Sequence, residues 1–301
     1  MAAPHAAYEH VALVHDGPDD LARRLADPLR DALDRGEAVY ACLSAPAWER
    51  LAGRIGPAAA AATVAPQSDR YANPGTAMAL LHRAVDDAVT AGSPAVWSVG
   101  TLPFEGTDHD ERWWRYEAAV DAVLGDRPLR AICTYDQATV PDLGAAHRTH
   151  AWIDTPDGRC RSVSFRPDSH REGGASTVDL PSHELVVEAV GPVRRAVTDR
   201  LGHRLARGRL DDLLLMVSEM VTNGLRHGRP PVVVRLWDRP DEVAVEVSDG
   251  GEGVPDVYAD LRPRRGGDKG GFGLWLVGQL AHRMMIGRAA GRTVVRAVLR
   301  R

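Results

Sequence analysis

Lysine is almost missing from this chain. Lys269 is the only one among 37 basic residues in 301. A P-loop of the form Gly-x-x-x-x-Gly-Lys-[Ser/Thr] needs a lysine to reach the phosphates, so none can stand before residue 269. The dinucleotide fingerprint Gly-x-Gly-x-x-Gly is missing too: the first strand-like run, His10 to His15, is followed by Asp16-Gly17-Pro18. The N-terminal half is therefore read as a nucleotide-binding domain of neither type. Three cysteines, Cys42, Cys133 and Cys160, are too few and too scattered for a disulfide frame, and no Cys-x-x-Cys pair occurs. No apolar run approaches the roughly 20 residues that span a bilayer, and Met1 to Glu9 lacks the charged-then-apolar pattern of a signal peptide. The expectation is a cytoplasmic protein with no membrane contact. Net charge is −4 with no basic block, which leaves no electrostatic footprint for nucleic acid.

What is present is the ordinary balance of a globular protein, 44% hydrophobic and 26% charged, long enough for two cores. From about residue 8 to 150, strand-like and helix-like segments alternate. Strands are expected at His10 to His15, Glu37 to Ser44, Ala95 to Gly100 and Leu129 to Tyr135. Helices are expected at Leu21 to Asp34 (capped by Asp19 or Asp20), Trp48 to Ile55, Thr76 to Thr90 and Asp110 to Leu124. This alternation argues for a parallel sheet with helices on both faces. His10, His15, Cys42 and Cys133 would form a metal or haem site if their strand ends converge; buried thiols and capping histidines are the commoner fate of such residues. Trp113, Trp114 and Tyr116 either wall a ligand pocket or pack in a core.

Residues 137 to 180 have the composition of a connector, with Arg159 to Arg166 as a candidate edge strand and Glu172 to Thr177 as a hinge. The division expected is a first domain at 8–170, a linker at 171–180 and a second domain at 181–301. The second opens with a strand at His183 to Val187. A helix follows Gly191-Pro192, with Val193, Val197, Leu201 and Leu205 on one stripe.

The next helix, Leu210 to Val221, is mostly apolar, yet Glu219 and Asn223 stand four residues apart on one face of it. They are either two surface residues or a pair satisfied by a metal–phosphate group, with Asn223 offering an oxygen to Mg²⁺ and Glu219 taking a proton. His227-Gly228 ends the helix before Pro230-Pro231. A hairpin, Val232 to Trp237 and Glu242 to Ser248, runs into Asp249-Gly250-Gly251-Glu252-Gly253. Later, Gly270-Gly271-Phe272-Gly273 opens onto an apolar helix, a ready anion site where free amides and the helix dipole point outward. Lys269, in the long loop between, either meets a phosphate or is solvated.

The ordered set Glu-x-x-x-Asn, Asp-x-Gly-x-Gly, Gly-x-Gly resembles the ATP-binding domain shared by histidine kinases, gyrase-type ATPases and anti-sigma serine kinases. Asn223 followed by His227-Gly228 is most similar to the anti-sigma kinases. The resemblance covers about Leu180 to Arg301 and implies an α+β two-layer sandwich, a mixed sheet with helices on one face. It further implies that Asn223 holds Mg²⁺, that Glu219 is the general base and that Asp249 accepts a hydrogen bond from the adenine amino group. Gly251 and Gly253 would let the backbone approach the base, Gly271 and Gly273 would wrap the phosphates, and Thr293 would stand near adenine. The loop between Gly253 and Gly270 would be the lid. Phe272 departs from the pattern, where a basic or small polar residue is expected. The helix after Pro192 belongs to a dimerisation surface in the anti-sigma relatives, which leaves a homodimer as an open expectation.

The N-terminal stretch His10-Val11-Ala12-Leu13-Val14-His15-Asp16, with Cys133-Thr134-Tyr135-Asp136, resembles the MEDS sensory domain, from about Tyr8 to His150. That resemblance implies a RecA-like sheet without a P-loop and a small-molecule ligand. Together the two halves imply a signal-responsive anti-sigma regulator. It would bind Mg-ATP, hold a sigma factor and phosphorylate a serine or threonine of an antagonist protein. The alternatives are a sensor histidine kinase and a non-catalytic ATP-gated switch. Against a histidine kinase, the helix segment after Pro192 contains His203 with no acidic residue after it.

Overall fold

The computed structural model describes residues 8–105, 110–140, 143–166, 180–262 and 272–301. The hinge at Glu172 to Thr177, Lys269 and Gly271 lie outside them. The chain forms two compact units, one of residues 1–72 and 76–169 and the other of residues 170–301 with 73–75.

The first unit runs β1 (Glu9–His15), α1 (Gly17–Asp34), β2 (Ala38–Cys42), α2 (Ala45–Ile55), a 3-10 turn (Pro57–Ala61), β3 (Thr63–Val64), α3 (Gln67–Arg70), α4 (Pro74–Thr90), β4 (Val96–Gly100), α5 (Glu111–Leu124), β5 (Leu129–Asp136), α6 (Leu143–Thr149), β6 (Trp152–Thr155) and β7 (Gly158–Arg161). Its sheet has the order β3-β2-β4-β5-β1-β6-β7. Every pairing is parallel except β6 with β7. Side chains alternate across each strand, and this sends them into two cores. Leu13 packs with Leu21 and Leu25 of α1 and Leu51 and Ile55 of α2. Ala12 and Val14, on the opposite face, pack with Tyr135, Ala146 of α6 and Trp114 of α5. The expected α/β sheet with helices on both faces is present.

Two local expectations are corrected. The first helix starts at Gly17 with Asp16 in the capping position, not at Leu21. Pro18 is preset for a first turn, so Asp19 and Asp20 sit inside that turn, where they meet the dipole rather than cap it. The connector at 137–180 holds α6 and a β6–β7 hairpin; Thr155-Pro156-Asp157-Gly158 makes its turn, with Gly158 at φ +124°. The small-residue stretch Gly56 to Pro66 contains β3, an edge strand paired with β2. The aromatic cluster is core: Trp113 is buried and meets Tyr71 and Tyr116 edge-on, and Trp114 stacks on Phe104.

Ser44 caps α2, its hydroxyl accepting from the Ala47 amide at 3.4 Å. Ser44→Ala should cost about 0.5–1 kcal/mol, toward the low end of cap losses because the bond is long. Urea denaturation measures it, and a gain in stability would show that the cap does not hold.

The second unit runs β8 (His183–Val187), α7 (Val190–Leu201), α8 (Arg207–His227), β9 (Val232–Asp238), β10 (Glu242–Asp249), α9 (Phe272–Leu280), β11 (Arg283–Ala289) and β12 (Arg292–Arg300). The sheet order is β11-β12-β10-β9-β8, and every neighbouring pair is antiparallel. The mixed sheet that the resemblance implied is therefore corrected, while the α+β class stands. Hairpins join β9 to β10 and β11 to β12, the latter through Ala290 and Gly291, both at positive φ, as a tight hairpin turn requires.

The helices lie on one face of this sheet. Val193, Val197 and Leu201 of α7 join Leu213, Met216, Val217, Met220 and Val221 of α8 and Val243, Val245 and Val247 of β10 in one core. On the other face Arg296 lies over the Trp237 ring at 4.3 Å. The helix α7 stops at Leu201, so His203 follows it rather than riding on it. No helix among the described residues is long and apolar enough to cross a membrane.

Candidate functional site

The helix α8 is one-sided. Its buried stripe, Leu213 to Gly224, faces the sheet, and Glu219 and Asn223 are half-buried along one edge. Beside them begins α9. A Cβ placed on Gly273 would come within 2.5 Å of Glu219 Oε2 and 3.3 Å of Asn223 Nδ2. The first turn of α9 is thus held against the polar pair, and a side chain at 273 would push the Glu219 carboxylate aside.

The strand β10 delivers Asp249 to the same region. Asp249 is paired in register with Thr293 of β12, and both are buried. Asp249 Oδ1 accepts from the Gly251 amide at 2.7 Å and from the Arg229 amide at 3.4 Å. These bonds turn the chain sharply after the strand. Gly253 follows at φ +113° beside the Arg288 side chain, and Arg288 donates to the Gly251 carbonyl at 3.2 Å.

A cavity of about 320 Å³ lies between these segments, within the range of small-molecule sites. Asn223, Asp249, Gly251, Gly253 and Thr293 line it together. Met220, Val247, Val254, Ala259, Leu274 and Val295 supply apolar walls. Glu219 is not in the lining; it stands one turn before Asn223, against position 273. Gly273 touches the polar pair without lining the cavity, and Gly271 is outside the described residues. Phe272 is half-exposed and packs edge-on against Trp275. Part of the long loop after Gly253 is packed, since Tyr258, Ala259, Asp260 and Leu261 are buried.

Gly228 reads from the sequence as a helix end and as part of the run Asn223 to Gly228 that carries the anti-sigma resemblance. It also lines the cavity, and a Cβ there would collide with the Asp249 carboxyl and lie 2.6 Å from the Gly224 carbonyl oxygen. The end of α8 is therefore packed on the acid at the end of β10. A glycine straight after a helix ending in His, ahead of two prolines, was the available signal, but it named the turn and not its partner. Gly228→Ala should destabilise the chain by about 1–3 kcal/mol, the usual cost of overpacking. Gly208→Ala, on the same helix with open space around it, should be neutral or stabilising by up to about 1 kcal/mol. Urea denaturation of both separates the close approach from helix propensity; equal effects would refute it.

The arrangement combines an apolar slot, a buried carboxylate at its end, a carboxamide on its rim and a helix N-terminus next to that carboxamide. A flat heterocycle with a hydrogen-bond donor fits the slot and the carboxylate. An anion fits the helix start.

Two family models match the chain. Residues 9–151 match the family model for MEDS, the methanogen/methylotroph, DcmR sensory domain. Residues 184–299 match the histidine kinase-like ATPase domain. No curated protein matches the chain. Among solved structures, the NMR structure of the histidine kinase domain of the E. coli osmosensor EnvZ aligns at 14% identity, over 42% of this chain and 92% of that one, with a TM-score of 0.24. The chain thus carries a MEDS sensory domain at its N-terminus and a histidine kinase-like ATPase domain at its C-terminus.

Proposed function

We propose that this protein is a signal-responsive regulator of the anti-sigma type, which binds Mg-ATP and phosphorylates a serine or threonine of an antagonist protein. The observation that carries the reading is the shared cavity: Asn223, Asp249, Gly251, Gly253 and Thr293 come from separate segments and line one space. In it, the apolar walls would hold adenine, with Asp249 accepting from its amino group near Thr293. Asn223 would hold Mg²⁺, whose charge offsets that of the phosphates. Gly273 would let the start of α9 approach the phosphates, the role the resemblance also gives to Gly271. Glu219 orients and deprotonates the incoming hydroxyl. Phosphoryl transfer depends mainly on positioning and charge stabilisation, and these residues supply both. The N-terminal domain supplies the signal, a sigma factor and its antagonist are the partners, and the site of action is the cytoplasm.

A histidine kinase is the second reading, favoured by the family to which the C-terminal unit belongs. Against it, His203 lies past the end of α7 in an exposed turn, not on a helix that could present it. A purely ATP-gated switch is the third. Calorimetry with the full chain should give Mg-dependent binding of one ATP. Incubation with ATP labelled in the γ position and an extract of the native host should then label a second protein with an acid-stable phosphate. Acid-labile label on the chain itself would select the histidine kinase, and binding without any label the switch.

A further inference from the structure

Four side chains converge inside the N-terminal unit. His10 on β1, Glu117 on α5, Cys133 on β5 and His150 just after α6 each place one donor atom within 4.8 Å of all the others. His10, Glu117 and His150 are buried, with Glu117 and His150 fully so, and Cys133 is partly buried. Four of the six separations are 3.5 Å or less. Glu117 Oε2 lies 3.2 Å from His10 Nε2, 3.5 Å from His150 Nε2 and 3.0 Å from Cys133 Sγ. Cys133 Sγ lies 3.5 Å from His10 Nε2. A tetrahedral ion with bonds of about 2.0–2.3 Å spaces its donor atoms about 3.3–3.8 Å apart, so small side-chain shifts would turn this cluster, all within 4.8 Å, into a coordination shell.

The surroundings turn each donor inward. His150 Nδ1 is 3.0 Å from the Ala146 carbonyl oxygen; donating its proton there leaves the Nε2 lone pair facing the cluster. That Nε2 is fully buried, with no well-formed hydrogen bond and the Glu117 carboxylate oxygen 3.5 Å away, an arrangement that an ion between the two atoms would satisfy better. His10 Nδ1 is 3.4 Å from Asp121 Oδ2, and Tyr8 donates to the other oxygen of Asp121 at 2.8 Å. Tyr135 donates to Glu117 Oε1 at 2.9 Å, which leaves Oε2 to the cluster. Imidazoles braced by a carboxylate or a backbone carbonyl are the usual outer support of metal-ligating histidines. Two neutral imidazoles, one thiolate and one carboxylate carry a charge of −2, so a divalent ion makes the buried site neutral. Thiolate and imidazole donors select zinc-type ions over magnesium or calcium.

We propose that the MEDS unit binds one divalent transition-metal ion of the zinc type through His10, Glu117, Cys133 and His150. On binding, the Cys133 S–H bond breaks as the metal–sulfur bond forms. Its proton leaves to water, together with any proton held by His10. With all four positions taken by protein donors, the site has the closed form of a structural or metal-sensing centre.

The test uses the metal-stripped, tag-free full chain titrated with Co²⁺ alone, then with Zn²⁺ against a chromogenic chelator. The expected result is one Co²⁺ per chain, with a thiolate-to-cobalt charge-transfer band and the intense d–d bands of tetrahedral coordination, both bleached by Zn²⁺. Cys133→Ser should remove the charge-transfer band and weaken Zn²⁺ binding at least about tenfold. His150→Gln, which keeps the thiol, should retain that band but weaken binding by a similar factor. Cys42→Ser and Cys160→Ser should change nothing. Circular dichroism checks that each variant is folded, and His150→Gln decides the matter if Cys133→Ser is not. Failure of the folded wild-type chain to bind Co²⁺ would overturn the proposal. So would a charge-transfer band that survives Cys133→Ser and disappears with Cys160→Ser.

Discussion

Glu219→Gln should slow phosphoryl transfer by about 10²–10⁴-fold, the usual contribution of a positioned general base. The substitution is nearly isosteric and removes only the proton-accepting charge. Glu219 does not line the cavity, so ATP affinity should stay within about twofold, and the loss should fall on kcat. Single-turnover transfer with labelled ATP measures the first quantity and calorimetry the second. A rate that Gln leaves untouched would remove Glu219 from the chemistry and favour the gated switch. Parallel losses of affinity and rate would mean instead that Glu219 supports the start of α9, against which its carboxylate rests.

Asn223→Ala addresses the other half of the pair. The carboxamide lies on the cavity rim and is the neutral oxygen donor that the sequence pattern offers to Mg²⁺. Its removal should abolish Mg-dependent ATP binding, a loss of at least about 100-fold, or about 2.7 kcal/mol. The residue is only half-buried, on the edge of α8 away from its apolar stripe, so stability should change by less than about 0.5 kcal/mol. Calorimetry with and without Mg²⁺ separates ion holding from base binding. If the variant binds Mg-ATP as the parent does, the metal role assigned to Asn223 is wrong.

These expectations were legible in the sequence where local pattern and chemistry coincide. The helix with Glu219 and Asn223, the strand ending in Asp249 and the helix opened by Gly273 were each marked by period or by glycine. What pattern does not carry is a contact between residues far apart. Nothing local reveals that Gly228 packs on the Asp249 carboxyl 21 positions later, because a glycine after a helix already has a sufficient local explanation.

The four residues first grouped as a metal or haem site show the same limit. His10 and His15 are five apart on one strand, an odd separation, and so point to opposite faces. His15 instead bonds the Gly17 carbonyl. Cys42 sits on β2, separated from β5 by β4. The residues that do join His10 and Cys133 come from a helix and a helix end, where no strand pattern could enrol them. Of the β6–β7 hairpin only the edge strand was anticipated, as Arg159 to Arg166: β7 runs Gly158–Arg161 and is exposed throughout, and a strand without a buried side leaves no alternation to fix its bounds.

The seating of Gly228 on Asp249 has a further consequence. The segment that would grip the metal and the acid that would discriminate the base end against one another, with no side chain as a cushion. Any loosening of the last turn of α8 would therefore reach both functions together. If the proposed nucleotide site is right, variation there that tuned which purine is accepted would also alter how firmly the ion is gripped, so drift in nucleotide preference would be confined to the apolar walls.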